Sequence, residues 1–135
     1  MTTAASKHPP SPPSDTLALT GRILLATIFL LSGVGKLADP AGTAAYVASA
    51  GLPAPALAAL GAALLETLGG IALAVGFRVR LFAAALAGFS LIAAILFHSA
   101  LADQNQMIHF LKNLAIAGGL LQIAAFGPGR LAFSR

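Results

Sequence analysis

His109-Phe110-Leu111-Lys112-Asn113-Leu114-Ala115-Ile116-Ala117-Gly118-Gly119 decides how this chain is read. An imidazole, an ammonium and a carboxamide stand at the head of a segment that is otherwise apolar to Phe126. A lysine inside a lipid-spanning helix costs roughly 3 kcal/mol on insertion scales. It therefore needs protein, water or a counter-charge beside it. Glu66, isolated in the apolar run of residues 54–77, is the matching anomaly. The expectation is a small helical bundle folded round a polar interior, with Glu66 and Lys112 as an ion pair between two helices.

Composition supports the membrane reading. The 135 residues are 58% hydrophobic and only 9% charged, against about 25% charged in soluble domains. The length suits one domain. The absence of cysteine excludes disulfides, thiolate metal sites and dithiol relays, and no other metal-ligand spacing stands out. A net charge of +4 raises nucleic acid as a partner. That reading is rejected, because the basic residues are scattered between apolar segments instead of gathered on one face.

Working outward along the chain gives four spans. Residues 1–15 carry Pro9, Pro10, Pro12 and Pro13, so a disordered tail is expected there. Ser14 or Asp15 is the expected cap of the first span, residues 16–36. That span is too long for a signal core and lacks a small-residue cleavage site, so it is expected to remain as an anchor. Its Arg22, Ala26, Phe29, Gly33 and Lys36 alternate at spacings of four and three and form one stripe. A short interfacial helix is expected over residues 43–50, before the break at Gly51-Leu52-Pro53. The second span covers residues 56–77, with Ala62, Glu66, Gly69, Leu73 and Gly76 on one face. The third covers 81–101, with His98 near its end, and the fourth covers 107–126. Short turns between spans two, three and four make consecutive helices antiparallel neighbours. The predicted fold is all-α, an up-down bundle of four transmembrane helices.

Basic residues fix the expected orientation. Lys7, Arg78, Arg80, Arg130 and Arg135 gather on one side, so both termini are expected in the cytoplasm. At about 1.5 Å per residue, Glu66 lies roughly 16 Å and Lys112 roughly 22 Å from that side. His98 and Lys36 come out at roughly 27–29 Å. The predicted geometry is a polar cavity opening outward and narrowing toward Glu66. Arg22, much lower, is expected to snorkel at the membrane boundary. Asn113 is expected to bond a backbone carbonyl or to orient Lys112. Haem ligation by His98 and His109 lacks an attachment motif.

With these residues in place, the chain resembles the DoxX family of small four-helix membrane proteins. The resemblance rests on the order and spacing of Arg22, Gly33 with Lys36, Gly51-Leu52-Pro53, Glu66 with Gly69-Gly70 and Gly76, His98, Lys112-Asn113, Gly118-Gly119 and Gly127-Pro128-Gly129. It covers residues 22–129, as a DoxX-like membrane domain of residues 16–130. The ending Phe133-Ser134-Arg135 departs from the family pattern. The resemblance implies a multi-pass protein of the bacterial inner membrane. It also implies links to membrane oxidoreductases, including a thiosulfate:quinone oxidoreductase and oxidative-stress enzymes.

The leading expectation is a membrane subunit of quinone-linked redox chemistry, with no covalently bound cofactor. Lys112, Asn113 and His98 would bond a quinone head group or a small substrate. Lys36 and His109 would add contacts, and Glu66 would exchange a proton. Arg22, Gly69 and Gly119 are expected to be structural. Partners are the lipid bilayer and either an oxidoreductase or a second copy of the chain. The alternatives are a small-molecule or proton carrier and a non-catalytic anchor.

Overall fold

A computed structural model describes residues 12–134. Of the proline-rich tail, residues 1–11 lie outside the described residues. Five helices follow in order: α1 Pro12–Ala38, α2 Pro40–Ser49, α3 Pro55–Val75, α4 Val79–Phe97 and α5 Gln104–Phe126. Four of them, all but α2, are long and apolar enough to cross a membrane. They run up and down in sequence, and α2 is the short helix expected between the first two spans.

Helix ends explain the segmentation. Proline suits a first turn, where its missing N–H would have had no partner, and α1, α2 and α3 all begin with one. α1 starts a full turn earlier than residue 16, so Asp15 is not a cap. Its carboxylate instead accepts a bond from the Arg130 amide at 3.0 Å. Asp39 caps α2 by accepting from Gly42 N, and Asp103 caps α5 by accepting from Asn105 N and Gln106 N. α3 stops at Gly76, whose φ of 81° is left-handed. A Cβ there would also lie 2.5 Å from Ala132 Cβ, so glycine is required on two counts.

The bundle is built from two helix pairs. α1 packs on α3, and α4 packs on α5. The predicted stripe on α1 is the packed one: Arg22, Ala26, Phe29 and Gly33 are all buried. Gly33 lets the two backbones touch, since a Cβ there would come within 2.7 Å of Thr67 N and 3.1 Å of Ala63 O. Without a hydrophobic drive between helices in lipid, such close packing is the main source of association. α4 and α5 join through Ala83, Leu86, Ala87, Ala117 and Leu120. The seam between the pairs is thinner. α1 makes a narrow contact with α5 and does not pack on α4.

Gly33 yields the first prediction. Gly33→Ala forces α1 away from α3 and is expected to cost about 2 kcal/mol, within the range for overpacked sites. Gly35→Ala, on the same helix but with open space around it, is expected to be neutral. Thermal unfolding in detergent compares the two, and equal losses would contradict the close-approach account. Gly69 is tight against a side chain instead of a backbone, with Leu86 Cδ1 2.9 Å from an added Cβ. Gly119 is not, since its nearest neighbour, Leu25, is 3.6 Å away.

The end of the bundle where α1 begins and α5 finishes is closed by a strap. After α5, residues 127–134 run back across the ends of α1, α3 and α4. Phe133 N donates to Val75 O and Ser134 N to Gly76 O, both at 3.0 Å. The Ser134 hydroxyl accepts from Arg78 N at 3.1 Å, and Arg80 Nη1 donates to Ala125 O at 2.9 Å. Arg22 lies beneath this strap and is 1% exposed. It does not snorkel, contrary to the expectation from sequence. Its guanidinium donates to Leu73 O at 2.8 Å, to Ala74 O at 3.4 Å and to Leu131 O. Carbonyls in the last turn of a helix lack intrahelical partners, and this arginine supplies them with donors.

Candidate functional site

At the opposite end, the seam between the helix pairs widens into a cavity of about 290 Å³. Every one of the five helices contributes to its wall. The polar groups that line it include Ser32, Lys36, Glu66, Ser90, His98 and Asn113. Phe29, Phe89, Leu96 and Ile116 make much of the remaining wall. Ile28 and Ile92, both exposed on the outer surface of the bundle, also line it. The cavity wall therefore includes residues that are exposed on the outside of the bundle.

Glu66 sits at the centre of this site, in the middle of α3, and its side chain is 3% exposed. Its partner is Lys36, with Nζ 2.8 Å from Oε1. Lys36 Nζ also donates to the Ser32 hydroxyl one turn earlier, at 2.7 Å. The pairing follows from the close contact of α1 and α3: Lys36 continues the stripe that Gly33 presses onto α3. A charge pair in this setting needs good geometry and further hydrogen bonds to offset desolvation, and Ser32 supplies one.

Lys112 does not pair with Glu66. It is exposed and lies outside the cavity lining. Depth alone favours that pairing, and rotation about the helix axis forbids it. Lys112 stands roughly 80° from the buried Leu120 at 100° per residue, at the margin of the packed face. Asn113, one residue on, does line the cavity.

The histidines divide in the same way. His98 ends α4 and lines the cavity, while His109 is exposed outside it. Their rings stack, with centroids 5.0 Å apart and planes at 28°. A bond of 3.2 Å joins His98 Nδ1 to Gln106 Oε1 and fixes the ring at the rim. Tyr46 of α2 stacks on Phe97 with centroids 4.9 Å apart, which lays α2 across the cavity mouth.

Ser90 is a site residue absent from the expectations drawn from sequence. It is 2% exposed and it lines the cavity. Buried hydroxyls are normally bonded, and the one that lacks a partner among the described residues is Thr67 Oγ1, beside Glu66 in α3. A signal for it exists in the sequence: Ser90 is the one hydroxyl in α4, on the stripe shared by Ala83, Leu86, Ala87 and Ala94.

Fold and site together define a four-span helical membrane protein with an apolar-walled cavity between its two helix pairs. The DoxX family model matches residues 17–99, and the chain belongs to the DoxX family. Inner membrane protein YqjF of Escherichia coli (strain K12) is 40% identical over 121 residues, covering 90% of this chain and 92% of that protein. Inner membrane protein YphA of the same strain is 36% identical over 124 residues, covering 88% and 89%. No solved structure matches the chain.

Proposed function

We propose that this integral membrane protein binds the head group of a membrane quinone in the cavity and serves quinone-linked oxidoreductase chemistry. The observation that carries the reading is an apolar-walled cavity in which Ser90, Asn113 and His98 stand around a buried, ion-paired carboxylate. Its volume of about 290 Å³ is at the lower end of the roughly 300–1,000 Å³ typical of small-molecule sites. A single ring fits that space, and an isoprenoid tail would leave between Ile28 and Ile92 into the bilayer. When bound, the quinone carries the electrons. The chain supplies the rest: Ser90, Asn113 and His98 hydrogen-bond the ring oxygens, and Glu66 exchanges a proton with them. Lys112 and His109, expected from sequence to contact the ligand, have no part in this arrangement. The relatives are inner membrane proteins by name, and we assign this chain to the same membrane. Arg78, Arg80 and Arg130 lie at the strap end, and basic residues favour the cytoplasmic side. Both termini are accordingly assigned to the cytoplasm, with the cavity toward the outer side.

Binding of a short-tailed quinone to the purified protein in nanodiscs tests this reading. Saturable binding is expected. Ser90→Ala is expected to weaken it about tenfold, the equivalent of one hydrogen bond of roughly 1.4 kcal/mol. Thermal stability should change little, because the substitution removes a single oxygen from a cavity wall. Absence of saturable binding would end the quinone reading. Uptake of a solute by protein-loaded vesicles would then favour a carrier.

A further inference from the structure

A second hollow touches the site from the other side. It is an open groove of about 380 Å³ between α1 and α2, lined by Leu31, Gly35, Asp39 and Gly42, among others. Ser32, Lys36, Thr43 and Tyr46 line both the groove and the cavity. These four side chains are therefore the partition between an open hollow and an apolar-walled interior. Lys36 crosses it. Its side chain is 27% exposed, yet its ammonium is bonded to a carboxylate that is 3% exposed.

The geometry points to Lys36 as a proton relay that connects Glu66 to water in the groove at Asp39. This inference rests on the reading of Glu66 as the proton-exchanging group. The transfer balances in two steps. Lys36 Nζ passes a proton to the Glu66 carboxylate, leaving a neutral amine and a carboxylic acid. The amine then takes a proton from hydronium in the groove, and water remains. The 2.8 Å contact is of hydrogen-bond length, as direct transfer requires. Asp39 borders the groove on its open side, though its carboxylate is already held by Gly42 N. Tyr46 of α2 lines both hollows, and His98 at the end of α4 lines the cavity only. These are the titratable groups facing the pair from the elements packed around it. Lysine suits this role because its proton can leave, whereas an arginine in a protein does not give one up.

Two variants separate the parts of the proposal. Lys36→Arg keeps the positive charge and the ion pair but holds its proton. Gly35→Phe fills the groove, and nothing lies within 4 Å of a Cβ added at Gly35. The probe is the proton itself. Protein in nanodiscs is taken through a rapid pH drop, and the carbonyl absorption of protonated Glu66 is followed by time-resolved infrared spectroscopy. Glu66→Gln identifies the band.

Both variants are expected to slow its rise tenfold or more without abolishing it at equilibrium. Slowing by Gly35→Phe alone would overturn the relay, since water would then reach Glu66 directly. Slowing by Lys36→Arg alone would overturn the groove as the route. Unchanged rates in both would overturn the whole proposal and place proton entry in the main cavity. The readout needs no quinone. Failure of quinone binding with the expected rates would therefore remove the ligand and leave the relay.

Discussion

Glu66→Gln is expected to destabilise the bundle by about 3 kcal/mol, the lower end of the range for breaking a buried pair. The lower end applies because Lys36 retains partial access to water while Glu66 has almost none. Lys36→Met should cost a similar amount, by leaving the carboxylate uncompensated among Phe29, Phe89 and Ile116. The double variant Lys36→Met with Glu66→Gln should recover much of the loss, since neither group then needs a counter-charge. Thermal unfolding of the four proteins gives the coupling, expected above about 1 kcal/mol for groups in contact. Lys112→Met with Glu66→Gln is the matching control. Its losses should add within about 0.5 kcal/mol, as for independent sites. Coupling of Glu66 to Lys112 and not to Lys36 would contradict the arrangement described above.

Arg22→Met should be of comparable size and act at the other end. It withdraws the donors from the carbonyls of Leu73, Ala74 and Leu131. Each buried acceptor left without a partner costs about 1–3 kcal/mol. Relaxation of the strap toward water recovers part of that, so a net loss of about 3–5 kcal/mol is expected. The strap is the specific reporter. Trypsin should cut after Arg130 much faster in the variant, because Leu131 is no longer held from below. Arg22→Lys should rescue only in part, since one ammonium lacks the planar fork that reaches carbonyls on two segments. A variant with unchanged unfolding and unchanged cleavage would show the contacts to be incidental.

Some features are legible in the residues alone, and the boundary is physical. Apolar length gives the four spans, and the interruption at Gly51-Leu52-Pro53 isolates α2. Helical periodicity puts Arg22, Ala26, Phe29 and Gly33 on one stripe, and the packing follows it. Glu66 stands out as the centre of a site because a lone carboxylate in an apolar run is costly unless it is paired or put to use. Its partner is less legible. Counting residues gives height in a membrane, whereas pairing depends also on rotation about each helix and on which helices touch. Lys36 meets both conditions, being on the stripe that Gly33 presses onto α3. Ser90 is hard to single out because a lone hydroxyl in an alanine-rich span usually bonds its own helix. The burial of Arg22 is hidden for a different reason, since its partners are main-chain carbonyls. Which carbonyls are left without donors depends on where α3 stops and where the strap returns.

The strap gives the molecule the mechanics of a clothes-peg. Residues 127–134 tie α1 through Asp15 and Arg22, α3 through Val75 and Gly76, and α4 through Arg78. That end is the spring. The two helix pairs are the jaws, and the seam between them is thinner than the contact within either pair. At the other end, where the cavity lies, the stack of Tyr46 on Phe97 joins them. The grip of the tail at one end and the ring stack at the other thus hold the cavity from both sides.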